Sequence, residues 1–187
     1  MDITQLILDD HHEQRRLFAL LEQADGAGPV ALGQLWSRLS VFLELHARAE
    51  EEIFYPALIQ LGLRTGRASR TQDETLDAIG DHNDIRDTIA AVGQHEAGTA
   101  GWLAAVAEVN VANGDHMAEE EREGLTEFRR TAGLQQRHDL AMRFAVFEAQ
   151  HYAGVTPVDQ DPAGYVRQAE ASFSGAGGLS IGSLKNR

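Results

Sequence analysis

A polar pattern set inside an apolar stripe constrains this chain more than any other feature. His46 and Glu50 stand four residues apart. On an α-helix, such residues lie about 40° apart around the axis and about 6 Å apart along it. Both side chains can therefore reach one point beside the helix. Leu32, Leu35, Leu39 and Phe42 lead to His46 at three- and four-residue steps, and Ile53 and Ala57 continue the row past Glu50. The stripe that should be buried thus carries an imidazole and a carboxylate at its centre. A buried, unpaired carboxylate is costly, so the pair needs a partner, and a metal ion is one such partner.

The pattern occurs twice. Asp10-His11 with Arg15 is matched by Asp81-His82 with Arg86, and His46-x-x-x-Glu50 by His116-x-x-x-Glu120. His11 precedes His46 by 35 positions, and His82 precedes His116 by 34. A two-helix unit is thus repeated. Apolar periodicity predicts helix A over residues 4–23, with Ile7, His11, Gln14, Phe18 and Leu21 on one stripe. Helix B is expected over 30–61 with a kink at Pro56. Helix C is expected over 72–92, carrying His82, Ile85, Ile89 and Val92. Helix D is expected over 99–130, with Trp102, Val106, Val109, Asn113, His116 and Glu120 in line. Turn residues separate them at 25–29, 62–69 and 93–98.

Four amphipathic helices with short connections read as an all-α, up-down-up-down four-helix bundle over 1–132. A fifth helix is expected over 134–152. The remainder of 133–187, with Thr156-Pro157, Asp161-Pro162 and Gly175–Gly178, reads as an irregular tail on or near the bundle. In such a bundle, mid-helix residues on inward stripes converge at one level. The convergent set is His11, His46, Glu50, His82, His116 and Glu120. Its two matched halves suggest two metal ions bridged by the two glutamates.

Composition narrows the chemistry. The chain has no cysteine, so any metal falls to histidine and carboxylate. A formal charge of −13 argues against nucleic acid and anionic membranes as partners. No run approaches the apolar length of a membrane span. The start, Met1-Asp2-Ile3-Thr4 followed by Asp9-Asp10, has neither the basic n-region nor the small-residue cleavage site of a signal peptide, so a cytoplasmic protein is expected.

The order His, His-x-x-x-Glu, His, His-x-x-x-Glu on four helices resembles the hemerythrin-like, HHE cation-binding proteins. Three strings carry the resemblance: Asp10-His11-His12-Glu13-Gln14-Arg15-Arg16, Glu50-Glu51-Glu52-Ile53-Phe54-Tyr55-Pro56, and Asp81-His82-Asn83-Asp84-Ile85-Arg86. It covers roughly residues 1–130 and implies a non-haem centre of two iron ions with bridging carboxylates and an oxygen-derived bridge. By position, His11 and His46 would bind one iron, His82 and His116 the other, and Glu50 and Glu120 would bridge.

Two departures bear on activity. Oxygen-carrying hemerythrins bear a second histidine one turn after the helix C histidine, where this chain has Arg86. They also bear an aspartate five residues after the helix D histidine, where it has Glu121. Both irons would then keep positions for water or substrate. The resemblance therefore implies first a catalase-like activity on hydrogen peroxide, as some bacterial hemerythrin-like proteins show. The alternatives are a protein that binds or senses O₂, NO or iron without turnover, and a diiron oxygenase acting on an organic substrate.

Other residues have plainer readings beside functional ones. Glu51, Glu52 and Glu119 read as a solvated acidic face, since Glu51 lies about 100° round the helix from Glu50. Glu121 is a candidate substitute ligand. Tyr55 is offset from the His46–Glu50 face, but Pro56 could turn its phenol inward. His151, near Glu148, could reach the site if the fifth helix covers its open end. His12 and His95 read as exposed, and Trp102 as core. Asp10 and Asp81 read as helix caps or as carboxylates behind the ligand imidazoles. Arg15 and Arg86 read as surface charges, with Arg86 also a candidate neighbour of the centre.

Overall fold

The structure, a computed structural model, describes residues 1–24 and 26–176. Among these, every regular element is a helix: α1 Ile3–Gln23, α2 Pro29–Ala49, a π-helical turn Glu50–Phe54, α3 Tyr55–Thr65, α4 Ala68–Val92, α5 Ala100–Arg122, α6 Gly124–Thr131, α7 Leu134–His151 and α8 Pro162–Ala176. The described residues form an all-α bundle, the fold class expected from the sequence.

Local chemistry sets the helix ends. Asp2 caps α1 by accepting a hydrogen bond from the Thr4 amide at 3.0 Å. Pro29 opens α2 at a position where its missing N–H costs nothing. Gly66, at φ +71°, ends α3 in the left-handed conformation that favours glycine. The Thr99 hydroxyl caps α5 by accepting from the Trp102 amide at 3.3 Å.

Helix B and helix D are each interrupted. The expected kink at Pro56 is realised as the π turn just before it. Proline cannot donate to the carbonyl of residue 52, and its ring crowds that carbonyl. Widening the preceding turn accommodates both effects. The α5–α6 break falls at Glu123.

The C-terminal part is more helical than its proline and glycine content predicts. Residues 153–161 are irregular, but Pro162–Ala176 form α8, which corrects the expected irregular tail there. Pro162 stands at the start of α8, where a proline is tolerated rather than disruptive. The remainder of the expected tail, 177–187, lies outside the described residues. Helix α7 packs on α1, α2 and the π turn, and α8 packs on α3 and α4. Asn83 pins the segment before α8 by donating to the Gln160 carbonyl at 2.8 Å and accepting its amide at 3.1 Å. The Tyr165 hydroxyl donates to the Glu51 carbonyl inside the π turn.

Two apolar clusters fill the bundle. One gathers Ile3, Ile7, Phe54, Leu58, Ile79 and Phe128, joined by Phe144 of α7. The other gathers Phe18, Leu39, Leu43, Ile85, Trp102 and Val109. Trp102 is core, edge-on to Trp36 with ring centroids 6.3 Å apart. On α1, α2 and α4, the polar pattern sits between a residue of one cluster and a residue of the other, and the pattern on α5 lies between Val109 of the second cluster and Leu125 of the first, which is on α6. His11 follows Ile7 and precedes Phe18, and His82 lies between Ile79 and Ile85. The helices thus hold a polar layer at one depth, with apolar packing above and below it.

Candidate metal centre

The polar layer brings together the side chains that the repeat singled out. His11, His46, Glu50, His82, His116 and Glu120 are all buried, with Glu50 and His11 fully so. Each histidine points its Nε2 inward. His46 Nε2 lies 3.0 Å from Glu50 Oε1, and His82 Nε2 lies 3.4 Å from Glu50 Oε2. His11 Nε2 is 3.4 Å from Glu120 Oε2 and 3.9 Å from Glu50 Oε1. Donor atoms of His11, His46 and Glu50 gather closely enough to hold one ion, and those of Glu50, His82 and His116 to hold another, so Glu50 is common to both groups.

The outer nitrogens are also accounted for. His46 Nδ1 pairs with Asp10 at 3.1 Å, and His116 Nδ1 with Asp81 at 3.3 Å. His11 Nδ1 pairs with Glu121 at 2.9 Å, and His82 Nδ1 with Glu51 at 3.1 Å. An ionised carboxylate can only accept, so Nδ1 carries the proton in each pair and the neutral ring keeps its Nε2 lone pair for the centre. Asp10 and Asp81 therefore do not serve the histidines that follow them in sequence. Each reaches across to the histidine of the next long helix.

Glu51 corrects the sequence expectation. It is 3% exposed rather than part of a solvated face. The π turn departs from the 100° step assumed for a regular helix, and Glu50 and Glu51 both face inward. Glu51 also accepts from Arg86 Nη2 at 2.8 Å, while Arg86 Nε donates to Glu44 at 2.9 Å. Arg86 is thus a buried clasp rather than a surface charge. Glu121 has the matching role at half-exposed depth, accepting from Arg15 at 2.8 Å. The remaining acidic neighbours, Glu52 and Glu119, are exposed as expected, and so are His12 and His95.

Tyr55 is turned inward, 1% exposed, and its hydroxyl has no hydrogen-bond partner. Burial, reinforced by the Glu120 and Glu50 carboxylates, raises its pKa well above the usual phenol range, so it stands as a neutral phenol. His151 does not join the centre. Its Nδ1 donates to the Phe147 carbonyl at 2.8 Å. Helix α7 instead supplies Phe144, whose ring centroid is 6.1 Å from that of His46, and Glu148, which lies against Asp10. Glu44 and Glu148 carried no sequence signal, because neither belongs to the repeat. Glu51 did carry one, since an adjacent glutamate follows the inward glutamate in both halves.

The donor set fits a cation. Both oxygens of Glu50, both of Glu120, and Nε2 of His11 and His46 lack hydrogen-bond partners inside the protein. His82 Nε2 and His116 Nε2 face each other at 3.1 Å although both rings bond carboxylates through Nδ1. Two lone pairs at that distance repel unless a proton or a metal ion stands with them. Buried polar atoms left in such number ask for a ligand.

Without metal, protons play that part. Burial opposes charge on His82, but the nearby Glu50 and Glu51 carboxylates outweigh it and lift its pKa to about 9. The same contest, against burial and with Glu50 and Asp10, raises His46 well above its usual value, and Glu120 and Glu121 raise His11. Burial would push Glu50 up, yet His46 and His82 hold it well below the carboxylate range. Glu121 is held at about 2 by its hydrogen bond from His11, against partial burial and with help from Arg15.

The sign of the pH dependence follows. A raised histidine pKa stabilises the metal-free fold below the unfolded value of 6.5, and this contribution is lost as pH rises through about 9. A divalent cation must displace those protons. Cobalt(II) binding to the metal-free chain is therefore expected to release protons at pH 7 and fewer at pH 9.5, with apparent affinity rising between. Proton release measured with an indicator dye in weak buffer checks this. Equal release at both pH values would show that the imidazoles are not protonated before metal binds.

The model of one family, the hemerythrin HHE cation binding domain, matches residues 2–127. No curated protein and no solved structure matches the chain. Among the described residues, no helix is long and apolar enough to cross a membrane. The matched span runs through all four histidines and both inward glutamates, and the chain belongs to the hemerythrin HHE cation binding domain family.

Proposed function

We propose that the chain holds two iron ions and disproportionates hydrogen peroxide to water and dioxygen. His11 and His46 would hold one ion and His82 and His116 the other, with Glu50 and Glu120 between them. Bound there, an iron pair supplies two-electron redox chemistry and Lewis acidity at positions open to a small ligand. The chain's own residues prepare those positions. Asp10, Asp81, Glu51 and Glu121 keep the proton on Nδ1 of their histidines and so keep Nε2 free to bind. The apolar clusters above and below close the layer along the bundle. The neutral Tyr55 phenol, with no partner of its own, can donate a hydrogen bond to a ligand beside Glu120.

One observation supports a small neutral oxidant over an anionic organic substrate. A cavity of about 510 Å³ reaches from the surface to His116, Glu120 and Tyr55. Its walls carry Asp73, Asp77, Asp81 and Glu123 beside Leu58 and Ala78, and such acidic walls admit neutral peroxide and repel anionic organic substrates. On the other side, the gap beside His46, His82 and His116 is only about 10 Å³.

The test is steady-state oxygen evolution from peroxide by iron-loaded protein. One O₂ for every two peroxides is expected, with a turnover number in the ordinary enzyme range of roughly 1–10³ s⁻¹. A spectral change of the reduced protein on adding O₂ or NO, with no turnover of peroxide, would replace this reading with that of a ligand-binding protein.

A further inference from the structure

The cavity that opens on His116 and Glu120 is lined asymmetrically in charge. From α4 come Asp73, Glu74, Asp77 and Asp81, from α5 come Glu119 and Glu120, and Glu123 joins them from the α5–α6 break. Arg67 and Arg70 are the basic residues of the lining, and both are engaged by carboxylates. Arg70 bonds Glu74 at 3.0 Å and lies 3.8 Å from Glu123, and Arg67 pairs with Glu127. Asp73 and Asp77 stand exposed, one helical turn apart on α4.

The interior of the cavity carries carboxylate oxygens with nothing to bind. The Glu74 side chain is 10% exposed, and its Oε2 has no hydrogen-bond partner. Deeper in, the Glu120 side chain is 4% exposed and neither of its oxygens has a partner. Unpaired acceptors therefore run from the exposed aspartates to the donors of the centre. Acidic walls in a narrow cleft concentrate cations and repel anions.

We infer that this cavity is the loading route for the metal: a hydrated divalent transition-metal ion enters past Asp73 and Asp77, passes Glu74, and is handed to Glu120 and His116. The inference rests on the proposed metal centre and adds the direction from which it fills. A second, larger cavity of about 640 Å³ lies between α1, α2 and α7, but it ends on Asp10 and Glu148 and on none of the inward donors. The same acidic lining admits neutral peroxide and disfavours anionic ligands.

The test follows ferrous ion uptake by the metal-free, full-length chain under anaerobic conditions in a stopped-flow instrument. D73N/D77N is compared with the parent and with D87N/E108Q, which removes the same charge from exposed positions outside the cavity. At about 10 mM salt, where the screening length is about 30 Å, D73N/D77N is expected to load about three- to tenfold more slowly, with an unchanged final iron content. D87N/E108Q should load like the parent. Near 1 M salt, where screening acts within about 3 Å, the difference should vanish. Equal rates for D73N/D77N and the parent overturn the route, as does equal slowing of both double variants, which would reduce the effect to net charge. A parent that takes up no iron defeats the metal centre itself, a result separate from either of these.

Discussion

Glu50→Ala is expected to leave each chain with at most one iron ion after reconstitution, where the parent is expected to hold two. Glu50 is the side chain common to both groups of donors, and it is fully buried. Removing it leaves Glu120, 3.4 Å from His11, as the remaining inward glutamate, so two cations would face each other with less negative charge between them. Glu52→Ala is the matched control, because the Glu52 side chain is 46% exposed and pairs only with Arg48 at the surface. Metal analysis and the near-ultraviolet absorbance of the reconstituted ferric protein read the outcome. Far-ultraviolet circular dichroism checks that the helices persist. Two irons retained in the alanine variant would remove Glu50 from the centre. Equal loss in the Glu52 control would show that acidic charge in general, rather than this carboxylate, holds the metal.

The second large effect is expected at Arg86. Its guanidinium, 6% exposed, is the buried cation between Glu44 and Glu51. Arg86→Met keeps much of the volume and removes the charge, leaving two buried carboxylates facing each other. Removing one partner of a buried pair costs about 3–5 kcal/mol, or roughly 6–20 °C in melting temperature for a chain of this size. Glu51 would also lose the group that holds it against His82 Nδ1, and loss of such a supporting contact lowers metal affinity roughly 10- to 100-fold. Arg86→His should behave similarly, because the Arg86 side chain runs towards Glu44 and Glu51 rather than to the donors. Adding Glu44→Gln to Arg86→Met should recover part of the stability, since it removes one of the stranded charges. Thermal unfolding of the metal-free proteins measures the first effect, and competition with a chelator measures the second. An Arg86→Met variant as stable as the parent would mean that the clasp is not formed.

The repeat made much of this readable from the sequence. Six donors at matched spacings on apolar stripes could only be buried together, and the apolar period placed them on four helices. That logic is local, because a helix fixes the relative direction of residues three or four apart. It carried the bundle and the convergence of His11, His46, His82 and His116. It failed where the helix departed from regularity. Glu51 was assigned to solvent on a 100° step, and the π turn before Pro56 broke that step.

What only the tertiary structure decided is which residue serves which. Asp10 precedes His11 but orients His46, and Asp81 precedes His82 but orients His116. The glutamates that follow the inward pair cross between the halves. Glu51 of the first half binds His82 and Arg86 of the second, and Glu121 of the second binds His11 and Arg15 of the first. Each long helix carries residues whose partners lie on another, so spacing along one helix cannot reveal them. Likewise, nothing in the periodicity of α4 and α5 says that their acidic residues line one cavity. The sequence determined the donors and the depth at which they meet, because both follow from helical geometry and burial. The packing of helices against one another determined the carboxylate behind each imidazole and the side on which the centre opens, because those contacts join residues far apart in the chain.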